Sequence, residues 1–178
     1  LGAPWHHLIK MSLITRSDIK FNCQVGGLFD DGIFMLEVFE HAKRVVYTQK
    51  PTYYYRVVST SITHGYKSDL LLRYQKVYCE LESFISRYNK NEEFKRAYYV
   101  RVYANKAMLA YFQNPENKAK LTQRYSEYIR TIKSFPYDVA IREIDESALG
   151  YRKSRILVRL LKARMYAMYW IAKRLFSR

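Results

Sequence analysis

Two adjacent carboxylates, Asp30 and Asp31, are the residues of this sequence best suited to chemistry. They open a stretch, 31–43, whose apolar residues recur at helical spacing, so the pair is predicted at a helix N-terminus. An ionised carboxylate held there on a rigid element can accept the proton of a substrate hydroxyl. Aspartate is also a common N-cap, so spacing alone leaves open that one of the pair serves only as a cap.

Arg56, which follows Tyr53, Tyr54 and Tyr55, is the second candidate. A guanidinium can bind phosphate oxygens through two parallel hydrogen bonds, which suits an anionic substrate. The alternative is a surface arginine at the end of a strand. On such a strand Tyr53 and Tyr55 share one face and Tyr54 takes the other, and we interpret all three as packing residues.

Other signatures of catalysis or metal binding are missing from the sequence. The four histidines show no metal-ligand spacing, and there is no glycine-rich phosphate loop and no Asp-x-Asp. Asp145 and Glu146 are predicted to be solvated helix residues. Cys23 and Cys79 are too few for a disulfide framework, so both are predicted to be reduced core residues.

The elements that must position these residues fall into two regions that meet near Tyr66. Residues 1–65 are predicted to contain strands at 18–21, 44–49 and 53–58 and helices at 8–16 and 31–43. The rest is predicted to be almost purely helical, with helices at 68–88, 92–113, 116–134, 137–148 and 154–176. The predicted fold class is therefore α+β, mainly α-helical.

The composition excludes a disordered chain, because 49% of the 178 residues are hydrophobic. Lys and Arg number 31 against 16 Asp and Glu, and the net charge of +15 favours an anionic partner. Nucleic acid is not the expected one, because the basic residues are spread over several helices without a nucleic-acid motif. The first residues show no signal-peptide pattern, and no uncharged run reaches the roughly 18 residues that span a bilayer.

The last region, about 152–178, is predicted to form a basic amphipathic helix. At about 100° per residue, one face is apolar and consists of Leu157, Leu161, Met165, Met168, Ala172 and Leu175. A separate basic face consists of Arg152, Arg155, Arg159, Lys162 and Lys173. Such a helix suits the surface of an anionic membrane. The alternative is that the apolar face packs on other helices and the basic face is merely solvated.

Short motifs occur in a fixed order around the acidic pair. They are Pro4-Trp5-His6-His7-Leu8-Ile9-Lys10, Ser12-Leu13-Ile14, Ile19-Lys20-Phe21, Asp30-Asp31 with Phe34, Ala42-Lys43-Arg44-Val45, Lys50-Pro51-Thr52-Tyr53-Tyr54-Tyr55-Arg56 and Ser61-Ile62-Thr63. This order resembles the C-terminal part of the bacterial family 2 glycosyltransferases that build surface polysaccharides. The sequence departs from the family where Asp30 replaces a Glu and where His6-His7 replaces Gly/Asn-Lys.

The resemblance implies a fold and an activity. Residues 1–65 would be the acceptor-side end of a GT-A-type glycosyltransferase domain, and 66–178 a helical C-terminal extension. The enzyme would transfer a sugar, with inversion, from a nucleotide-sugar donor to a glycan or lipid-linked acceptor. Asp31 would be the catalytic base and Asp30 its neighbour.

The resemblance also implies a binding set and a cofactor. Arg56, Ser61, His64 and Trp5 would bind substrate or donor phosphates. Mg²⁺ or Mn²⁺ would assist, with ligands outside these residues. Because the donor-binding half is also missing, we expect the chain alone to be inactive.

The expected location is cytoplasmic, with a peripheral position on the inner face of the cell membrane, since many such enzymes use lipid-linked acceptors. A second hypothesis comes from another class of protein. It is a non-catalytic helical interaction module that binds an anionic surface, either a membrane or, less favoured, nucleic acid. The role of Asp31 separates the two hypotheses.

Overall fold

The computed structural model describes residues 3–22, 29–51, 53–54, 56, 66–104 and 106–176, and this part of the chain is mainly helical. The helices are α1 Met11–Arg16, α2 Asp30–His41, α3 Leu70–Arg87, α4 Glu92–Ala104, α5 Lys106–Gln113, α6 Leu121–Ile132, α7 Tyr137–Glu143, α8 Arg152–Lys162 and α9 Tyr166–Phe176. Short 3-10 turns lie at Pro4–His6 and Glu146–Ala148. Across the described ranges, no helix is both long enough and apolar enough to cross a bilayer.

The chain forms two compact units, Leu1–Ser83 and Phe84–Arg178. In the first unit α2 is the central element, and α1 and the turn Pro4–His6 both pack against it. Its core joins side chains of α2 to the segment around α1, and consists of Ile19, Phe34, Met35 and Val38 with Ile9, Leu13, Ile14 and Phe39 around them.

The second unit is a set of packed helices with an aromatic core. α4 packs on α7, α5 on α6, α6 on α7, and both α7 and α9 on α8. The ring of Tyr128 lies at the centre of this core, 4.8 Å from Trp170, 5.9 Å from Phe112 and 6.5 Å from Tyr169 between ring centroids. Tyr128 and Tyr169 therefore serve packing, as aromatic side chains do when they fill a small core.

The strands predicted at 18–21 and 44–49 are not formed. A strand requires backbone hydrogen bonds to a neighbouring strand, and the described residues provide none for either segment. Instead Asp18 adopts a left-handed φ of 48°, and the N–H of Ile19 donates to the carbonyl of Ile14 at the end of α1. Part of the third predicted strand, 53–58, lies outside the described residues. The helical part of the fold prediction is confirmed.

Most helix predictions are confirmed, but several ends differ. α1 begins at Met11 rather than at residue 8, and the range 92–113 corresponds to α4 and α5. The helix predicted from residue 116 begins at Leu121, because the side chains of Asn114 and Asn117 accept backbone N–H groups in the turn before it. The helix predicted to reach residue 148 ends at Glu143. The backbone N–H and hydroxyl of Ser147 then donate to Asp145, and these bonds hold the pKa of its carboxyl below the ordinary value.

The single helix predicted for 154–176 is wrong, because the chain turns between α8 and α9. Arg164 has a left-handed φ of 59°. Its N–H donates to the carbonyl of Leu161, and the N–H of Met165 donates to the carbonyl of Leu160. These two bonds form a Schellman motif, which ends a helix most often at a glycine. No glycine occurs at this turn, so residue types alone do not indicate the break.

The prediction that both cysteines are core residues is wrong for Cys79. This residue of α3 is exposed and carries a free thiol. Cys23 lies outside the described residues.

Candidate functional site

The acidic pair forms the first turn of α2, as the sequence predicted. The N–H of Asp31 donates to Oδ1 of Asp30 at 2.9 Å, and the N–H of Gly32 donates to Oδ1 of Asp31 at 2.7 Å. The first N–H groups of a helix have no partner within the helix, so these bonds satisfy two of them. Both aspartates therefore act as local caps, and each uses one carboxylate oxygen to do so.

α2 is a rigid support for this pair, because six of its 12 residues are buried. Met35 has no exposed surface. The ring of Phe34 stacks on that of Phe21 with centroids 4.1 Å apart and planes 2° apart. Side chains packed in this way restrict rotation and sliding of the helix, so the position of Asp31 is fixed by the core of the first unit.

Gly32 lies beneath an aromatic side chain. A Cβ atom at this position would overlap the ring of Phe29, which lies directly over the glycine. Phe29 itself has a left-handed φ of 64° and precedes the first residue of α2. The space beside Gly32 at the acidic pair is therefore occupied by an aromatic side chain.

Trp5 lies in the 3-10 turn Pro4–His6 and is 45% exposed. Its ring is 5.9 Å from that of His6 and 6.0 Å from that of Tyr53 between centroids. The adjoining His7 contacts the ring of Phe39 at 5.5 Å, near the C-terminal end of α2. Phe39 is about 12 Å along the helix axis from Asp31. Within the described ranges no recorded bond or ring contact joins Trp5 to the acidic pair.

The remaining predicted site residues are only partly described. Arg56 is exposed, and no ion pair joins it to Asp30 or Asp31 in the described part of the first unit. Ser61 and His64 lie outside the described residues. Their predicted roles beside the donor phosphates therefore stay predictions.

No metal centre is formed by the residues that the structure describes, since no three side chains of His, Cys, Asp or Glu come together there. Two of the described histidine rings contact the backbone instead. Nδ1 of His7 lies 3.0 Å from the carbonyl oxygen of Ala3, and Nδ1 of His41 lies 2.9 Å from that of Glu37.

The basic face predicted for the C-terminal helix is largely used within the second unit. Arg155 donates to the carbonyl of Leu149 at 2.9 Å, and Lys162 donates to that of Ile144 at 2.9 Å. Arg159 forms an ion pair with Glu146 at 2.6 Å. Three of the predicted surface cations thus hold the segment 144–149 against α8, although all three residues remain exposed.

The apolar face predicted for that helix also divides at the break. Leu157 and Leu161 of α8 are buried, as expected for a packed face. In α9 the buried residues are Tyr169 and Trp170, whereas Met168 and Leu175 are exposed. The predicted stripe assumes one uninterrupted helix. Because α8 ends before Arg164 and α9 begins after it, residues of the two helices do not share one helical face.

The acidic pair on α2 is thus a rigid carboxylate site, and the basic residues of α8 belong to the second unit. The sequence does not predict that the ring of Phe29 covers Gly32. An aromatic residue directly before an Asp-Asp-Gly start is the only sequence signal for that contact. Comparison with protein-family models, with characterised proteins and with solved structures finds no match to this chain.

Proposed function

We propose that this chain is the acceptor-side part of an inverting family 2 glycosyltransferase, in which Asp31 is the general base. The observation that carries the proposal is the placement of Asp31 in the first turn of a buried helix. A general base must be held at a fixed position relative to the hydroxyl that it deprotonates, and a packed helix supplies that precision.

The geometry of Asp31 suits this role. Its Oδ1 accepts the N–H of Gly32, which fixes the plane of the carboxylate. The side chain is only half-buried, so Oδ2 is the oxygen left to accept a proton. The acceptor hydroxyl loses its proton to Oδ2, its oxygen bonds to the anomeric carbon, and the bond from that carbon to the nucleoside diphosphate breaks.

The other residues have supporting roles in the proposal. Asp30, which caps the N–H of Asp31, is a positioning residue that holds the start of α2. Arg56, with Ser61 and His64 in the segment after it, would face the diphosphate of the donor, and Trp5 would face the sugar acceptor. The donor site and the ligands of Mg²⁺ or Mn²⁺ would be supplied by a GT-A-type domain that residues 1–65 complete.

Sugar transfer by the full-length polypeptide that contains these residues tests the proposal. The probes are UDP-glucose, UDP-galactose and UDP-N-acetylglucosamine with a total lipid extract as acceptor, and release of nucleoside diphosphate is measured. We expect turnover by the wild type and loss of about 10²-fold or more in Asp31→Asn. Asparagine keeps an oxygen for the N–H of Gly32, so the variant should fold.

Asp18→Asn is the matched control. Asp18 is exposed, pairs with Lys20 at 2.8 Å and has a left-handed φ, which asparagine tolerates. It should retain wild-type turnover. Equal activity of Asp31→Asn and Asp18→Asn would contradict a catalytic role for Asp31.

A further inference from the structure

Helix α9 exposes an apolar stripe that the structure leaves uncovered by its own unit. Met168, Ile171 and Leu175 are 52%, 58% and 67% exposed. At about 100° per residue, these three side chains lie within about 60° of one another around the helix. The opposite side of α9 packs into the second unit through Tyr169 and Trp170. Exposed apolar side chains grouped in this way mark a surface that meets an apolar partner.

A cationic recess adjoins this stripe. It has a volume of about 50 Å³ and is lined by Phe112, Gln113, Leu121, Arg124, Trp170 and Arg174. Arg174 follows Ile171 by three positions and precedes Leu175, so it neighbours the stripe on the helix surface. Two arginines and no acidic residue line the recess, which makes it a site for an anion.

Arg124 is fixed in this recess. Its Nη1 donates to the carbonyls of Phe112 and Asn114, at 3.2 and 3.3 Å. Its Nε is buried and has no acceptor among the described residues. The guanidinium is thus partly removed from water without a carboxylate beside it, a situation that an anionic group in the recess would relieve.

The surrounding charge has the same sign. Residues 151–178 contain nine Lys and Arg and no Asp or Glu. Part of this charge is compensated inside the unit through Glu146, whereas Arg174 is exposed. An apolar stripe bordered by cations is complementary to a lipid bilayer, in which anionic headgroups cover apolar acyl chains.

We propose that α9 docks the chain on an anionic phospholipid bilayer, with Met168, Ile171 and Leu175 in the acyl boundary and a lipid phosphate at the Arg124–Arg174 recess. Nucleic acid would satisfy the arginines but offers no apolar phase for the stripe. The face involved keeps Met168 and Leu175 of the one predicted from sequence, whereas Leu157 and Leu161 are buried and take no part. The proposal is independent of the glycosyltransferase assignment, since it uses only residues of the second unit.

Co-sedimentation of the chain with vesicles, without any sugar nucleotide, tests the proposal. The vesicles are phosphatidylcholine alone and phosphatidylcholine mixed with phosphatidylglycerol. We expect preferential binding to the mixed vesicles. Ile171→Ser should lower the partition coefficient about tenfold, because it removes one apolar side chain from the boundary.

The matched control for Ile171→Ser is Ile156→Ser. Ile156 lies on α8 and is 49% exposed, so it loses a similar side chain from a different surface. Its partition coefficient should stay within about twofold of the wild type. Arg174→Gln should weaken binding to the mixed vesicles about fivefold, and more than Arg130→Gln, which removes an exposed charge from α6. The thermal unfolding midpoint of each variant verifies its fold.

Several outcomes would overturn the proposal. These are absence of binding, equal binding to both kinds of vesicle, and an unchanged partition coefficient for Ile171→Ser. Complete displacement of the chain from vesicles by single-stranded DNA, with Ile171→Ser binding that DNA as the wild type does, would assign the surface to nucleic acid instead. Failure of sugar transfer in the full-length polypeptide would leave these binding results unaffected.

Discussion

At the scale of single residues, the contact between Phe29 and Gly32 determines how α2 can begin. The aromatic ring fills the space that a side chain at position 32 would need. Alanine favours a helix over glycine by about 1 kcal/mol, whereas overpacking typically costs about 1–3 kcal/mol. We therefore expect Gly32→Ala to lower the free energy of unfolding by about 1 kcal/mol, measured by urea denaturation.

The double variant Phe29→Ala/Gly32→Ala separates these two effects. Without the ring, the same glycine-to-alanine change should raise the free energy of unfolding by about 1 kcal/mol relative to Phe29→Ala alone. If Gly32→Ala has the same effect in both backgrounds, the ring does not limit position 32.

The sequence predicted the acidic pair at a helix start but not the ring over Gly32. Local spacing is sufficient for the first, because Asp30 and Asp31 precede an apolar helical repeat. The second depends on the left-handed φ of Phe29, which turns its ring back over the helix. Such a conformation is rare for a bulky residue, so local spacing does not predict it.

At the scale of elements, the turn at Arg164 decides which faces of α8 and α9 are buried. Glycine adopts the left-handed conformation of this residue without the strain that a Cβ atom causes. Arg164 is exposed, so replacing it removes no packing. We expect Arg164→Gly to raise the free energy of unfolding by about 1 kcal/mol, measured by chemical denaturation.

Ala167→Gly is the matched control for this turn. Ala167 is exposed within α9, where glycine should lower the free energy of unfolding by about 1 kcal/mol. A decrease in both variants would indicate that 154–176 is one continuous helix, as first predicted.

The helices themselves were predictable, and their mutual arrangement was not. Apolar periodicity located α2 and α3 within a few residues of their ends. The hydrogen bonds that join Arg155, Arg159 and Lys162 to the segment 144–149 link residues distant in sequence, and no local pattern reports such pairing. For this reason, basic residues at helical spacing predict only a basic surface.

At the scale of the whole molecule, buried tyrosines make stability sensitive to alkaline pH. Burial raises the pKa of Tyr103 from 10.0 to about 12, and its hydroxyl donates to the carbonyl of Ser154 at 3.1 Å. Burial also raises the pKa of Tyr128 and Tyr169. Just above pH 10, such a phenol is therefore still protonated in the folded chain but has lost its proton in the unfolded chain.

The sign of the effect follows from linkage. Below about pH 10 these phenols are protonated in both states and add no pH dependence, whereas between pH 10 and about 12 only the unfolded chain ionises at Tyr103. We expect the urea midpoint to fall as the pH rises through this window. Tyr103→Phe should reduce that slope, whereas Tyr47→Phe, at an exposed position, should not change it. A midpoint that is constant to pH 12 would contradict the burial of these rings.

The sequence predicted the mainly helical character of the molecule correctly, but the strand that it predicted at 44–49 is not formed. Val45, Val46 and Tyr47 have side chains typical of strands, yet all three are exposed in the structure. Residues with β propensity form a strand only where a neighbouring strand and a buried face exist. Side-chain propensity alone therefore predicts a strand at 44–49 that the structure does not form.

The most direct test of the central claim is the kinetic effect of Asp31→Asn in the full-length polypeptide that contains these residues. Removal of a general base should lower kcat by about 10²–10⁴-fold, because the interaction is made only in the transition state. The KM for the nucleotide-sugar donor and the thermal unfolding midpoint should be unchanged. A wild-type kcat in Asp31→Asn, with folding intact, would contradict the assignment of Asp31 as the catalytic base.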